Sequence, residues 1–277
     1  MKASLSQSSG IDDRHRQAAR TGGDNMSEIV FNRYEKKFLL GKEQYGQMLQ
    51  ALEKYMVEDV YGRYTICNIY YDTDDDLLIR RSMQKPVYKE KLRIRSYGTP
   101  AADQTVYLEI KKKYRGLVNK RRIPLKLDEA YGFADSGIVP HVESKVEKQI
   151  CAEIAFFLER YHLRRKLYLA YERHAFSGIE DPSFRVTFDS AIRSRRFSLG
   201  LENGSAGQRL LPDGLYLMEV KIDSAVPLWF SGLLDEFGIR KVSFSKYGNI
   251  YRKEHGAPLK WLAGSSLQRM PGKEVVC

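Results

Sequence analysis

Lys89, Lys91, Arg93 and Arg95 fall on alternate positions of the segment Val87–Tyr97 (VYKEKLRIRSY), with Leu92 and Ile94 between them. Side chains alternate along a strand, so the four cations share one face. Like charges in a row repel, and an anion set between them turns repulsion into binding. The chemistry this pattern offers is recognition of a polyanion, phosphate above all. A solvated edge strand blunted by lysines would explain one such segment.

The pattern recurs. In Thr105–Lys113, Tyr107, Glu109, Lys111 and Lys113 oppose Val106, Leu108 and Ile110. In Leu217–Ile222, Glu219 and Lys221 oppose Met218, Val220 and Ile222. In Phe184–Asp189, Arg185, Thr187 and Asp189 oppose Phe184, Val186 and Phe188. Arg33, Glu35 and Lys37 alternate with Tyr34 and Phe38, with Lys36 interrupting the apolar side. Five such strands imply a sheet curled around a polar, mostly cationic interior, its apolar side covered by helices.

The elements that must hold these strands can be read from periodicity and turn chemistry. Strands are expected at Ile29–Leu40, Arg63–Tyr71, Val87–Tyr97, Thr105–Tyr114, Leu117–Pro124, Lys166–Phe176, Phe184–Arg195 and Leu215–Asp223, with a tight turn at Gly116. Helices are expected from Lys42 to about Tyr55, after Asp72-Thr73-Asp74 through Arg81, and at Asp128–Phe133, Glu143–Tyr161, Leu228–Phe237 and Phe244–Arg252. Strands in hairpin order pair antiparallel, and closing about eight of them removes the edges. The expected fold is α+β: a closed antiparallel eight-stranded β-barrel, or tunnel, with a polar cationic interior flanked by helices.

The chain has 277 residues and a formal charge of +11, with pI near 9.4. It is long enough for a large core, and the charge points to a polyanionic partner. Residues 1–25 are polar and aperiodic, which reads as a disordered extension, and Met26 is a candidate true start. Residues 26–255 form the expected domain and 256–277 a tail.

Cys67, Cys151 and Cys277 lie far apart, which fits a reducing compartment and no zinc or disulfide framework. With no apolar run long enough to span a bilayer, the reading is cytoplasmic. There is no GxxxxGK[ST], no GxGxxG after a strand, no GxSxG and no metal spacing among the five histidines. His174, beside Arg173, reads either as a site neighbour or as a satisfied histidine. Cations and carboxylates must therefore do any chemistry, which suits phosphoryl transfer.

Taken in order, RYEKKF at Arg33–Phe38, KLRIR at Lys91–Arg95, LEIKKK at Leu108–Lys113, YER at Tyr171–Arg173, FRVTFD at Phe184–Asp189, LMEVK at Leu217–Lys221 and FSKY at Phe244–Tyr247 resemble the VTC domain. This is the polyphosphate polymerase domain of the triphosphate tunnel metalloenzyme, or CYTH-like, superfamily, here of bacterial stand-alone type. The resemblance implies an ATP–polyphosphate phosphotransferase. Lys37, Arg93, Arg95, Lys111, Arg173, Arg185 and Lys246 would bind phosphate and, with Lys221, serve catalysis. Glu219 would hold Mn²⁺ or Mg²⁺, and Glu109 would hold a second ion or orient Lys111.

Many tunnel enzymes begin Glu-x-Glu-x-Lys, whereas this chain has Arg33-Tyr34-Glu35-Lys36-Lys37, which favours the polymerase branch. The other readings are a triphosphatase of the same fold and a non-catalytic polyphosphate-binding module. ATP and polyphosphate are the expected partners, with no nucleic acid, and export would need a separate membrane-protein partner. Tyr34, Tyr107 and Tyr247 read as packing or hydrogen-bonding lining before base stacking. Arg193, Arg195 and Arg196 read as a solvated or tunnel-mouth patch, and Lys246 otherwise as a helix-surface lysine.

Overall fold

The computed structural model describes residues 34–259, apart from 116 and 224. The expected N-terminal extension, Arg33, the turn at Gly116, Cys277 and nearly all of the tail lie outside the described residues.

In chain order the elements are β1 (Tyr34–Leu40), α1 (Lys42–Leu52), β2 (Met56–Asp72), α2 (Leu77–Met83), β3 (Tyr88–Tyr97), β4 (Thr105–Tyr114), β5 (Leu117–Lys126), α3 (Leu127–Ser136) and α4 (Lys145–Tyr161). There follow β6 (Arg164–Gly178), β7 (Arg185–Arg195), the short β8 (Gln208–Arg209), β9 (Tyr216–Ile222), α5 (Leu228–Glu236) and α6 (Lys246–Glu254). Every pairing is antiparallel, in the order β1-β9-β7-β6-β2-β3-β4-β5, with β8 attached to β7.

The α+β class is as expected, but closure is not. The two ends of this order, β1 and β5, share no ladder among the described residues, so the sheet is an open curl of nine strands. It is nonetheless strongly curved: Lys111 on β4 comes within 3.5 Å of Glu35 on β1, across the concave side.

Two apolar cores coat the convex face. Leu92, Ile94, Leu108 and Ile110 of β3 and β4 pack under Phe133, Ile150, Ile154 and Phe157 of α3 and α4. Phe38, Val186, Phe188, Met218 and Val220 of β1, β7 and β9 pack under Met48, Leu52 and Phe230 of α1 and α5. Each fully buried aliphatic side chain contributes about 1.5–3 kcal/mol. The alternation therefore does what the sequence demands: apolar positions face helices and cations face inward.

A third core was not expected. Leu39, Leu167, Leu169, Tyr171 and Leu217 lie on the concave face, in alternation with the cations, and pack against Phe244, Tyr247 and Ile250 on and just before α6. One part of the concavity is thus filled by α6, and the polar residues occupy the remainder.

Candidate active site

Glu219, at the centre of β9, is 6% exposed and receives three cations. Lys37 Nζ lies 3.0 Å from Oε1, Lys246 Nζ 2.8 Å from the same oxygen, and Arg173 Nη2 3.4 Å from Oε2. Register explains the first contact, because Lys37 stands directly opposite Glu219 on β1. Lys246 is the first residue of α6, after the N-cap Ser245, whose side chain accepts from Gly248 N. A lysine is unfavourable at the positive end of a helix. Here two carboxylates hold it, since Nζ also lies 2.5 Å from Asp189 Oδ2. The fully buried Asp189 accepts from Arg173 Nε and Nη2, each at 2.7 Å. Lys37 also reaches Glu35, at 3.1 Å, which makes a continuous chain of alternating charge from β1 to β6.

A second group sits on β3–β5. Glu109, 1% exposed, is enclosed by Arg93 at 2.6 Å, Lys120 at 2.6 Å and Arg95 at 3.9 Å. Arg93 also donates to the Tyr70 hydroxyl at 3.0 Å, and Arg95 to Asn68 Oδ1 at 3.0 Å and Tyr171 at 3.3 Å. These guanidinium groups are fixed on several sides, which removes the entropy cost of ordering them around a ligand.

The remaining cations are only partly balanced: Lys111, Lys120 and Arg185 each reach one carboxylate. Lys91, Lys111 and Lys120 lie in register on three adjacent strands, Lys89 opposite Lys113, and Arg185 opposite Lys221. Like charges directly opposite one another are destabilising. Among the described residues no carboxylate comes within ion-pair distance of Lys89, Lys91, Lys113 or Lys221. Thr187 Oγ1 and Arg185 Nε, beside Glu219 and Lys221, are buried without a hydrogen-bond partner among the described residues. Orphaned buried polar atoms of this kind call for a ligand or water.

The protonation states follow. Burial alone would raise Glu219, but Lys246, Lys37 and Arg173 hold it well below the carboxylate range. Glu109 is held down in the same way by Arg93, Arg95 and Lys120. Lys37 lowers Glu35 to about 2. Burial lowers Lys221 to about 7, helped by Arg173, and lowers Lys91 to about 8, helped by Lys111, Lys89 and Lys37. Burial would raise the Tyr70 phenol, but Arg93, Lys91 and Arg95 bring it down to about 8.

Of the residues singled out from sequence, Lys37, Arg173, Glu219 and Lys246 form one connected group, and Arg93, Arg95 and Glu109 another. Lys111 bridges toward the first through Glu35. Arg185 and Lys221 line the same face, with Arg185 3.3 Å from Asp59. The helix-surface alternative for Lys246 is excluded by its burial between two carboxylates. Glu109 pairs with Lys120 and not with Lys111, so Lys111 is not the lysine that it orients.

The expected mouth patch is also corrected. A bulge at Ala191 (φ 47°) turns Arg193 and Arg195 to the convex side. There Arg195 donates to the carbonyls of Ser198, Gly200, Gly204 and Ala206, Arg193 pairs with Glu172, and Arg196 with Glu254 and Asp76. His174 is a satisfied histidine, between Tyr45 and Glu58. The residues that sequence reasoning passed over are Asp189, Glu35, Lys120 and Tyr70. Only the first two carried a signal, namely a place on an inward face.

A divalent cation suits one position. Among the described residues no three carboxylate, imidazole or thiol groups converge. Mg²⁺ commonly needs only one or two carboxylates, with phosphate oxygens and water completing its shell. Glu219 and Glu35, both touching Lys37, with the orphaned Thr187 hydroxyl beside Glu219, supply oxygen donors of that kind.

The site is thus a curled antiparallel sheet with cation rows and buried carboxylates on its concave face. The chain belongs to the VTC domain family, whose model matches residues 32–255. Subunit 4 of the vacuolar transporter chaperone complex from Trypanosoma brucei brucei is 27% identical, over 66% of this chain and 28% of that protein. The chain thus spans less than a third of that relative. Among solved structures, a proposed adenylate cyclase from Bacillus halodurans is 18% identical with a TM-score of 0.47, covering 78% of this chain and 96% of its own. A proposed adenylyl cyclase from Hippeastrum, described as having a dominant triphosphatase activity, is 16% identical with a TM-score of 0.46, over 81% and 96%.

Proposed function

We propose that the protein is a polyphosphate polymerase that transfers the γ-phosphate of ATP to a growing inorganic polyphosphate chain. The observation that carries this reading is the set of in-register like-charge rows, Lys91–Lys111–Lys120, Lys89–Lys113 and Arg185–Lys221, which a chain of phosphates would bridge. Family membership supports it. The first tier of binding falls to Lys37, Arg93, Arg95, Lys111, Arg173, Arg185, Lys221 and Lys246. Arginine grips two phosphate oxygens at once and lysine acts as a point charge.

A terminal polyphosphate oxygen, already anionic, attacks the γ-phosphorus in line. A new P–O–P bond forms, the bond from Pγ to the β-bridging oxygen breaks, and ADP leaves with the electron pair. Little proton transfer is needed, so positioning and charge neutralisation carry the catalysis. Glu219, with Glu35 beside it, would hold Mn²⁺ or Mg²⁺, which would offset charge on the phosphates. Asp189 keeps Arg173 and Lys246 oriented.

The full chain, ATP, Mn²⁺ and a pyrophosphate primer should yield long polyphosphate on a gel, and Glu219→Gln should remove it. Release of free phosphate alone would reject polymerisation in favour of the triphosphatase reading, which the Glu35–Glu219 pair of carboxylates would serve. Among the described residues no helix is long and apolar enough to cross a membrane. We assign any export of product to a membrane-protein partner, in keeping with the complex that gives the trypanosome relative its name.

A further inference from the structure

Beside the phosphate-facing cations the concave face carries an aromatic row that phosphate chemistry does not use. Tyr64, Tyr97 and Tyr107 stand on β2, β3 and β4, each half-buried, with Tyr64–Tyr97 centroids 5.8 Å apart and Tyr97–Tyr107 5.9 Å. Tyr61 joins the row at 6.3 Å from Tyr64. The exposed Arg122 of β5 lies over the Tyr107 ring at 4.8 Å.

Tyr64 and Tyr97 pack in part against the α6 core, and neighbouring rings meet at 59–83°, but two features mark the row. First, Tyr61 is delivered by an irregularity. The β2–β6 ladder breaks between Glu58 and Arg63, and Gly62 takes φ 60°. That segment is tied by Asp59, which accepts from Tyr61 N and from the inward cation Arg185. Secondly, the row is continuous with the charged wall. Tyr107 stands directly opposite Arg95, and Glu109, Lys111 and Lys113 follow it on the same face. From Tyr107 to Lys111 is four residues of strand, about 13 Å, comparable with a ribose triphosphate.

We propose that Tyr107, with the guanidinium plane of Arg122, forms a stacking site for the nucleobase of the phosphoryl donor. The inference rests on the reading that a nucleoside triphosphate is the donor. Bases stack on tyrosine rings and on arginine planes irrespective of their hydrogen-bonding edges. A polyphosphate chain has no ring and gains nothing there. The site therefore separates donor from acceptor: the donor's base is held at Tyr107 while its phosphates extend along Arg95, Arg93 and the lysine rows.

The test is calorimetric binding of ATP and, separately, of tripolyphosphate to the full chain. Tyr107→Leu keeps apolar bulk and removes the ring, while Arg122→Lys keeps charge and removes the plane. Tyr107→Leu should weaken ATP about tenfold, the loss of one stacked base, and Arg122→Lys should weaken it less but in the same direction. Tripolyphosphate should bind both variants as it binds the parent, which also certifies their folding. Equal weakening of both ligands, or unchanged ATP binding with tripolyphosphate intact, overturns the stacking site and leaves the phosphate reading standing. Failure of the parent protein to bind either ligand overturns both.

Discussion

Asp189 offers the sharpest test of the charge chain that organises this site. Its carboxylate is fully buried and accepts two 2.7 Å bonds from Arg173 while touching Lys246 at 2.5 Å. Asp189→Asn keeps the shape but leaves two buried cations short of counter-charge. Breaking a buried ion pair from one side costs about 3–5 kcal/mol, and the retained amide oxygen places this variant near the lower end. For a domain of this size each kcal/mol lowers Tm by about 2–4 °C, so the expected fall is about 6–12 °C by calorimetry or fluorescence. Tripolyphosphate should then raise the variant's Tm by more than it raises the parent's, because the added anion replaces the missing charge. A fall below about 2 °C, or equal protection of both proteins, would refute the argument that these cations are poised for an anion.

Two further predictions follow from the same geometry. Lys91 is held at about 8 against an ordinary 10.5, with Lys89, Lys111, Lys37 and Tyr70 facing it. The unfolded chain thus holds more protons above pH 8. Unliganded stability should rise with pH through that range, while affinity for tripolyphosphate falls as Lys91 and Tyr70 lose their protons. Calorimetry in buffers of different ionisation enthalpy should show proton uptake on binding near pH 8, and Lys91→Gln should flatten it. Arg195→Ala, which releases the four carbonyls of Ser198, Gly200, Gly204 and Ala206, should cost about 3 kcal/mol and open that loop to protease without changing tripolyphosphate affinity. A change in affinity would count against the placing of Arg195 away from the anion-binding face.

The alternation of β3, β4 and β9 made the inward cations legible, because parity along a strand is a local property. The same rule placed Asp189 inward but could not distinguish it from Thr187. What ranks Asp189 is the arrival of Lys246 from α6, 57 residues away in sequence. Parity also misled. Leu39, Leu167, Leu169 and Leu217 share the cations' face, and only the packing of α6 explains why an inward position there is apolar. At Ala191 the bulge has no glycine to announce it, so from sequence Arg193 and Arg195 read as a solvated or tunnel-mouth patch and not as side chains that tie down a loop on the convex side. Closure follows from the need to protect edges, yet among the described residues β1 and β5 do not pair, and the Lys111–Glu35 ion pair spans from β4 to β1.

The pairing of β1 with β9 has a consequence for how the molecule comes into being. Lys37 and Glu219 are separated by 182 residues, so the first described strand waits for the last. The β3–β4–β5 meander closes through short loops and can form early, whereas the β1–β9 ladder carries the greatest loop-closure cost and contributes to slow folding. A nascent chain therefore displays its lysine-rich wall before Glu219 can meet Lys37, Arg173 and Lys246. Completion of the sheet and assembly of that charge chain are one event, and a chain interrupted ahead of β9 would be a polycation without its acidic centre.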